Sequence, residues 1–243
     1  MRQLPLDFKR PVAHRGLHDA VHPENSLGAY AAAIANGYQI ELDVRITKDG
    51  TVVVCHDNNV QRMTGVDRLI SESNTDEIVS LMLLKTDYHI PTLPEVLQHV
   101  NGQQPLFIEI KFGKEPAYIC STICAILDGY DGPYVVESFD PRIIYWFRRY
   151  RPAVFRGQLS GSLREQAMAR PLRWLLRQYA FNAFTRPDFL VYEVDYLPNR
   201  VVSRWAHHKQ PVYLWTINQP HQVKQLAPLG AIPIFEQPVA ALL

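Results

Sequence analysis

Tyr38-Gln39-Ile40-Glu41-Leu42-Asp43-Val44, then Lys48-Asp49-Gly50, then Val52-Val53-Val54-Cys55-His56: this stretch decides the fold. It reads as strand, turn and returning strand, the pattern of a β-hairpin. A strand's side chains alternate with period two, so Glu41 and Asp43 share one face and Leu42 takes the other. With the turn centred on Asp49-Gly50, the return strand sets His56 across from about Asp43.

Strands and helix-like segments alternate on both sides of the hairpin. Upstream, Val12-Ala13-His14 is a short strand ending at Arg15-Gly16. An Ala-rich helix follows, capped by Asn25 or Ser26 and ended by Gly37. Downstream, Thr92-Leu93-Pro94-Glu95 is a capping box that opens a helix over Leu93–Val100. Further strands are expected at Leu106–Lys111, Tyr134–Phe139, Val154–Leu159, Phe189–Val194, Val212–Thr216 and Ile232–Phe235. Ser138-Phe139-Asp140-Pro141 begins the helix that carries Tyr145, Trp146 and Phe147.

Setting aside the returning hairpin strand, eight strands are linked by helices. This alternation implies parallel pairing and has the arithmetic of a (β/α)8 TIM barrel, an α/β fold. A doubly wound sheet is the alternative; it often shows a Gly-rich first turn, and the chain holds no G-x-G-x-x-G. With no linker or repeat, residues 1–243 read as one domain.

The chain has 243 residues, 47% of them hydrophobic and 20% charged, with a formal net charge of +1. Disordered chains lack this apolar content and carry more net charge. Three cysteines, Cys55, Cys120 and Cys124, are too few and too odd in number for a disulfide framework and suit a reducing compartment. Met1-Arg2-Gln3-Leu4-Pro5 has no apolar signal core, and the apolar runs fall far short of the ~20 residues of a membrane span. The expectation is a cytoplasmic protein.

The chemistry gathers at strand ends. His14 closes the first strand, Glu41 and Asp43 share a face of the second, and Glu109 and Lys111 repeat that spacing. In a parallel barrel these positions lie near the C-terminal rim, where such enzymes place their sites. Three carboxylates in a largely apolar interior would repel one another, and a divalent cation resolves this. All-oxygen ligands favour Mg2+ or Ca2+ over Zn2+. Two histidines suit proton transfer near neutral pH. Arg15 offers paired donors to a phosphate, and Lys111 a point charge. The reaction class indicated is metal-assisted phosphoryl chemistry, with phosphodiester cleavage the first expectation within it.

At these residues the sequence resembles the glycerophosphodiester phosphodiesterases. The resemblance runs through Val12-Ala13-His14-Arg15-Gly16, Pro23-Glu24-Asn25-Ser26, Ile40–Val44, Thr47–Gly50, Val53–Asp57, Arg62-Met63-Thr64, Ile90–Leu93 leading into Glu95–Leu97, Ile108–Lys111 and Leu214-Trp215-Thr216-Ile217-Asn218. It implies a TIM barrel with a small insertion after the second strand, about residues 57–91. It also implies hydrolysis of glycerophosphodiesters, as in lipid and glycerol metabolism, to sn-glycerol 3-phosphate and an alcohol. His14 and His56 would be the acid–base pair, Glu41, Asp43 and Glu109 the metal ligands, and Arg15 and Lys111 the phosphate contacts. Trp215 would pack on the glycerol end. The nucleophile is either water or the substrate's own 2-hydroxyl. One departure stands at the last strand: Ile234-Phe235-Glu236-Gln237-Pro238 replaces the family's T-D-x-P, and bulky Phe235 is expected to alter the rim.

Residues 142–186 hold ten arginines and one acid, Glu165, a balance of +9, so the rest of the chain sums to +1 − 9 = −8. After Pro171, helical spacing puts Leu172, Leu175, Leu176, Tyr179 and Ala183 on one face. Arg170, Arg173, Arg177, Trp174, Phe181 and Phe184 take the other. Arginine mixed with aromatics over 164–186 suits an anionic membrane, and a lysophospholipase D acting on lipid diesters is the corresponding alternative activity. The bland alternative is a solvated barrel helix. No nucleic-acid motif accompanies the arginines. Two other classes stay open: a catalytically silent binding or regulatory barrel, and a glycoside hydrolase built on two carboxylates.

Overall fold

The structure, a computed structural model, describes residues 2–163, 168–237 and 239–242. Its strands fall within two residues of the expected bounds, in the strand–helix order of a (β/α)8 barrel. The first strand, β1, is Val12–Ala13. The chain divides into two compact units, Ala13–Tyr134 and the combination of Met1–Val12 with Val135–Leu243.

In the unit Ala13–Tyr134, β1 leads through a tight turn to α1 (Leu27–Ala35). Gly16 sits at φ +80°, and a Cβ there would stand 2.8 Å from that of Ala29, so only glycine allows the turn to close on α1. Of the two candidate caps, Ser26 serves: its hydroxyl accepts from the Ala29 amide. Gly37, at φ +73°, ends the helix. The hairpin is β2 (Gln39–Ile46) and β3 (Val52–Val54), followed by α2 (Gln61–Thr64) and α3 (Thr75–Val79). Next come α4 (Leu93–Val100), with the expected Thr92–Glu95 capping box, then β4 (Leu106–Ile110) and α5 (Pro116–Leu127). β4 runs parallel to β2 with Asp43 level with Glu109, while β3 runs antiparallel with Val44 opposite Val54. Between β3 and α4, Val60, Met63, Ile70, Ile78 and Leu83 are buried on Val53, Cys55 and Ile90. Burying each large aliphatic contributes ~1.5–3 kcal/mol.

In the other unit, β5 (Tyr134–Ser138), α6 (Pro141–Tyr150) and β6 (Arg156–Ser160) precede α7 (Arg170–Arg177) and α8 (Asn182–Thr185). Then β7 (Phe189–Glu193), α9 (Arg200–His207), β8 (Val212–Ile217), α10 (Pro220–Val223) and β9 (Ile232–Phe235) complete the series. From β5 to β9 each strand pairs in parallel with the next. Asp140 caps α6 by accepting from the Arg142 amide. The helix expected after Pro171 differs from its pattern. It stops at Arg177, Tyr179 adopts φ +52°, and Leu172 and Ala183 face solvent while Leu176 and Tyr179 are buried. Phe235, expected to alter the rim, is fully buried. Arg164, Glu165 and Pro238 lie outside the described residues.

Candidate active site

Seven of the eight expected site residues belong to the unit Ala13–Tyr134. Glu41, Asp43 and Glu109 are buried, and one oxygen from each lies within 4.8 Å of the others. Two rules bring them together: period two along β2 joins Glu41 to Asp43, and parallel register sets Glu109 beside Asp43. Lys111, just beyond β4, lays its Nζ 2.6 Å from Asp43 Oδ1 and 2.7 Å from Glu109 Oε1. Burial opposes the ammonium, but Asp43 and Glu109 outweigh it and raise its pKa. Burial likewise opposes the Asp43 carboxylate, yet the charges of Lys111, His56 and Arg15 hold it well below the usual carboxylate range.

His14 and Arg15 follow β1. His14 Nε2 is 4.0 Å from Glu41 Oε2. Arg15 adopts the left-handed conformation at φ +56°, which costs a non-glycine residue ~1 kcal/mol or more. That turn aims its amide at Glu41 Oε2, at 2.8 Å, and its carbonyl accepts from the Asn25 amide. The guanidinium reaches Glu24 Oε1 at 2.8 Å and Asp43 Oδ2 at 3.4 Å. Burial works against the Arg15 cation, but Asp43, Glu24 and Glu41 keep its pKa above the ordinary arginine value.

His56 arrives by a different route from the one expected. The hairpin turn centres on Asp49, half a residue earlier, so Cys55 lies opposite Asp43 and donates its amide to the Asp43 carbonyl. His56 is one residue past that pair and beyond the end of β3. Arg45 holds it there, with Nε 2.8 Å and Nη2 2.5 Å from the His56 carbonyl. His56 Nδ1 lies 2.7 Å from Asp57 Oδ1. An ionised carboxylate only accepts, so the shared proton sits on Nδ1.

Five residues are thereby chained: His56, Asp57, Arg62, Glu24 and Arg15. Arg62 Nε donates to Asp57 Oδ2 at 2.6 Å, and its two Nη atoms donate to Glu24 at 2.9 and 2.7 Å. The bond from His56, which outweighs partial burial, and then Arg62 lower the Asp57 pKa. Burial pushes Glu24 up, but Arg62 and Arg15 leave it lowered. Asn25, which does not cap α1, serves the site instead: its Nδ2 donates to Asp43 Oδ2 at 2.9 Å and its Oδ1 accepts from the Tyr30 hydroxyl.

Glu24, Asp57, Arg62 and Arg45 carry no expected role in the sequence pattern. Arg45 was within reach, because the period that pairs Glu41 with Asp43 continues to it. The others stand on turns and a short helix, where no periodicity points at a partner.

Trp215 belongs to the other unit. It sits near the end of β8, its Nε1 3.4 Å from the Ser160 carbonyl and its ring edge-on to Phe139 with centroids 5.6 Å apart.

The donor set fits a hard divalent cation: three buried carboxylates with oxygen atoms in reach of one centre. Two histidines and two cations stand around it, an arrangement able to bind an anionic diester and exchange protons with it.

Comparison with known proteins bears on which reaction this is. The model of the glycerophosphoryl diester phosphodiesterase family matches residues 14–238. The chain is 25% identical to YhdW of Bacillus subtilis over 229 residues, covering 90% of each. It is 27% identical to glycerophosphodiester phosphodiesterase 1 of Bos taurus over 247 residues, covering 88% of this chain and 73% of that one. A phosphodiesterase of Oleispira antarctica, solved in complex with its product sn-glycerol-3-phosphate, superposes with a TM-score of 0.79. That alignment covers 93% of this chain and 92% of the other at 22% identity, a likeness of fold.

Proposed function

Since the chain belongs to the glycerophosphoryl diester phosphodiesterase family, we propose that it hydrolyses glycerophosphodiesters to sn-glycerol 3-phosphate and an alcohol. The observation that carries this reading is the convergence of Glu41, Asp43 and Glu109 with His14, His56, Arg15 and Lys111 in one compact unit. In this reading the chain is a single-domain barrel and residues 57–91 are its small insertion.

Glu41, Asp43 and Glu109 hold a divalent cation, Mg2+ or Ca2+, which when bound supplies Lewis-acid stabilisation of charge on a phosphoryl oxygen. Counting Lys111 and Arg15 against the three carboxylates leaves −1; a divalent ion makes the sum +1, the complement of a phosphodiester. Lys111 is held by two of those carboxylates, so its charge is fixed before substrate arrives. Fixed charges of this kind avoid reorganisation during the reaction. Arg15, anchored on Glu24, orients the diester.

His56 keeps its Nδ1 proton on Asp57, which leaves Nε2 as the atom that takes or gives a proton. His14, beside Glu41, is the second member of the acid–base pair. One deprotonates the nucleophile, and the other protonates the departing alkoxide.

A panel of glycerophosphocholine, glycerophosphoethanolamine and aryl glycosides, each with Mg2+, Ca2+ or EDTA, tests this function. The expected result is metal-dependent cleavage of the diesters. Glycoside cleavage with no diester turnover would overturn it.

A further inference from the structure

We propose that the surface formed by α7 and α8 docks the enzyme on an anionic lipid bilayer. From Arg170 to Arg186, the stretch that holds α7 and α8, there are four arginines, no lysine and no acid. On α7, at 100° per residue, Arg170, Arg173, Arg177 and Trp174 fall within one 100° arc, while Leu176 points away from it into the core. Trp174 is 62% exposed, Phe184 on α8 67% and Leu172 41%. Exposed apolar side chains are costly to leave in water, and the arginines beside them carry a charge complementary to an anionic surface. The combination matches the bilayer interface, where arginines meet lipid phosphates and aromatic rings lie at the headgroup level. No helix among the described residues is long and apolar enough to cross a membrane, so the contact is peripheral.

The surface is anchored within its own unit. Ser160, the last residue of β6, donates its hydroxyl to the Leu176 carbonyl, and Asn199 donates to the Arg177 carbonyl. Ser160 also accepts, through its own carbonyl, from the Trp215 indole. The helix that would meet lipid is therefore anchored at the strand end that carries Trp215.

Co-sedimentation of the full chain with vesicles tests the docking without reference to catalysis. At about 20 mM salt the chain binds phosphatidylcholine vesicles containing ~30% phosphatidylglycerol, and binding falls as salt rises. Pure phosphatidylcholine does not retain it. Each arginine near an anionic surface contributes about fivefold in partitioning, so Arg170→Gln with Arg173→Gln lowers binding by at least about tenfold. Trp174→Ala with Phe184→Ala lowers it as well. Arg170, Trp174 and Phe184 face solvent while Arg173 is half-buried; both pairs should stay folded and keep turnover of glycerophosphocholine, with the melting temperature read beside binding so that a loss of fold is not taken for a loss of docking. Lost turnover in the wild type with intact vesicle binding would reject the hydrolase reading and leave the docking standing. No binding to anionic vesicles, equal binding to neutral ones, or full binding by both variants overturns the docking. So does a single-stranded oligonucleotide that binds the α7 surface while vesicles do not.

Discussion

His56 and Asp57 are neighbours in sequence and partners in space, and the proton shared on Nδ1 would leave Nε2 as the acid–base atom of the proposed mechanism. Replacing His56 or His14 by alanine should lower kcat by ~10²–10⁴ while leaving the melting temperature near that of the wild type, the range for a positioned acid or base. Steady-state kinetics beside thermal unfolding separate the two effects. Cys55, one residue earlier, behaves oppositely: burial, opposed by Arg45, pushes its thiol up to about 12. All three cysteines are buried. Iodoacetamide at about pH 8 should leave the native chain unmodified and label all three thiols in denaturant, read by mass spectrometry. Residues whose neighbours follow from strand period are legible in the sequence: Glu41, Asp43 and Glu109 meet where spacing and parallel pairing put them. Asn25 is not legible in this way, because its side chain is equally suited to a cap, and only the left-handed turn at Asn25 directs it to Asp43 instead.

The hairpin shows how far an element can be read from its residues. Strand, turn and return are all visible, yet the pairing slips by one residue because Thr47 and Thr51 close the loop around Asp49. Asp49 accepts from the Thr47 hydroxyl and from the Thr75 amide and hydroxyl at the start of α3, which lowers its pKa to about 2. The sequence motif marks the turn but not this second partner 26 residues away. A carboxylate depressed in the fold stabilises it above the unfolded value of ~3.9 and ceases to do so as pH falls towards 2. Asp49→Asn should therefore melt lower than the wild type at pH 7, with the gap closing as pH drops from about 4 to 2. Helix starts are the easiest elements to place, since a cap needs only local chemistry. Where α7 ends depends instead on Tyr179, whose hydroxyl reaches the Val191 carbonyl on β7.

For the whole molecule, stability and ligand binding are linked. A divalent ion held, as proposed, by Glu41, Asp43 and Glu109 would stabilise the native chain by ~2.7 kcal/mol at a hundred times its Kd, which for a chain of this size would raise the melting temperature by roughly 5–10 °C. Glu109→Gln should lose most of that rise. The fold class is legible because strands and helices alternate through the full length; what a net charge of +1 conceals is its division into a basic stretch and an acidic remainder. The most direct test of the proposed activity follows sn-glycero-3-phosphocholine by phosphorus NMR, with the wild type and with Asp43→Asn, in Mg2+ or Ca2+. The wild type should convert the diester signal to that of sn-glycerol 3-phosphate, and the variant should fall below about a hundredth of that rate. A diester signal that stays unchanged with the wild type, or an Asp43→Asn rate equal to it, would contradict the account.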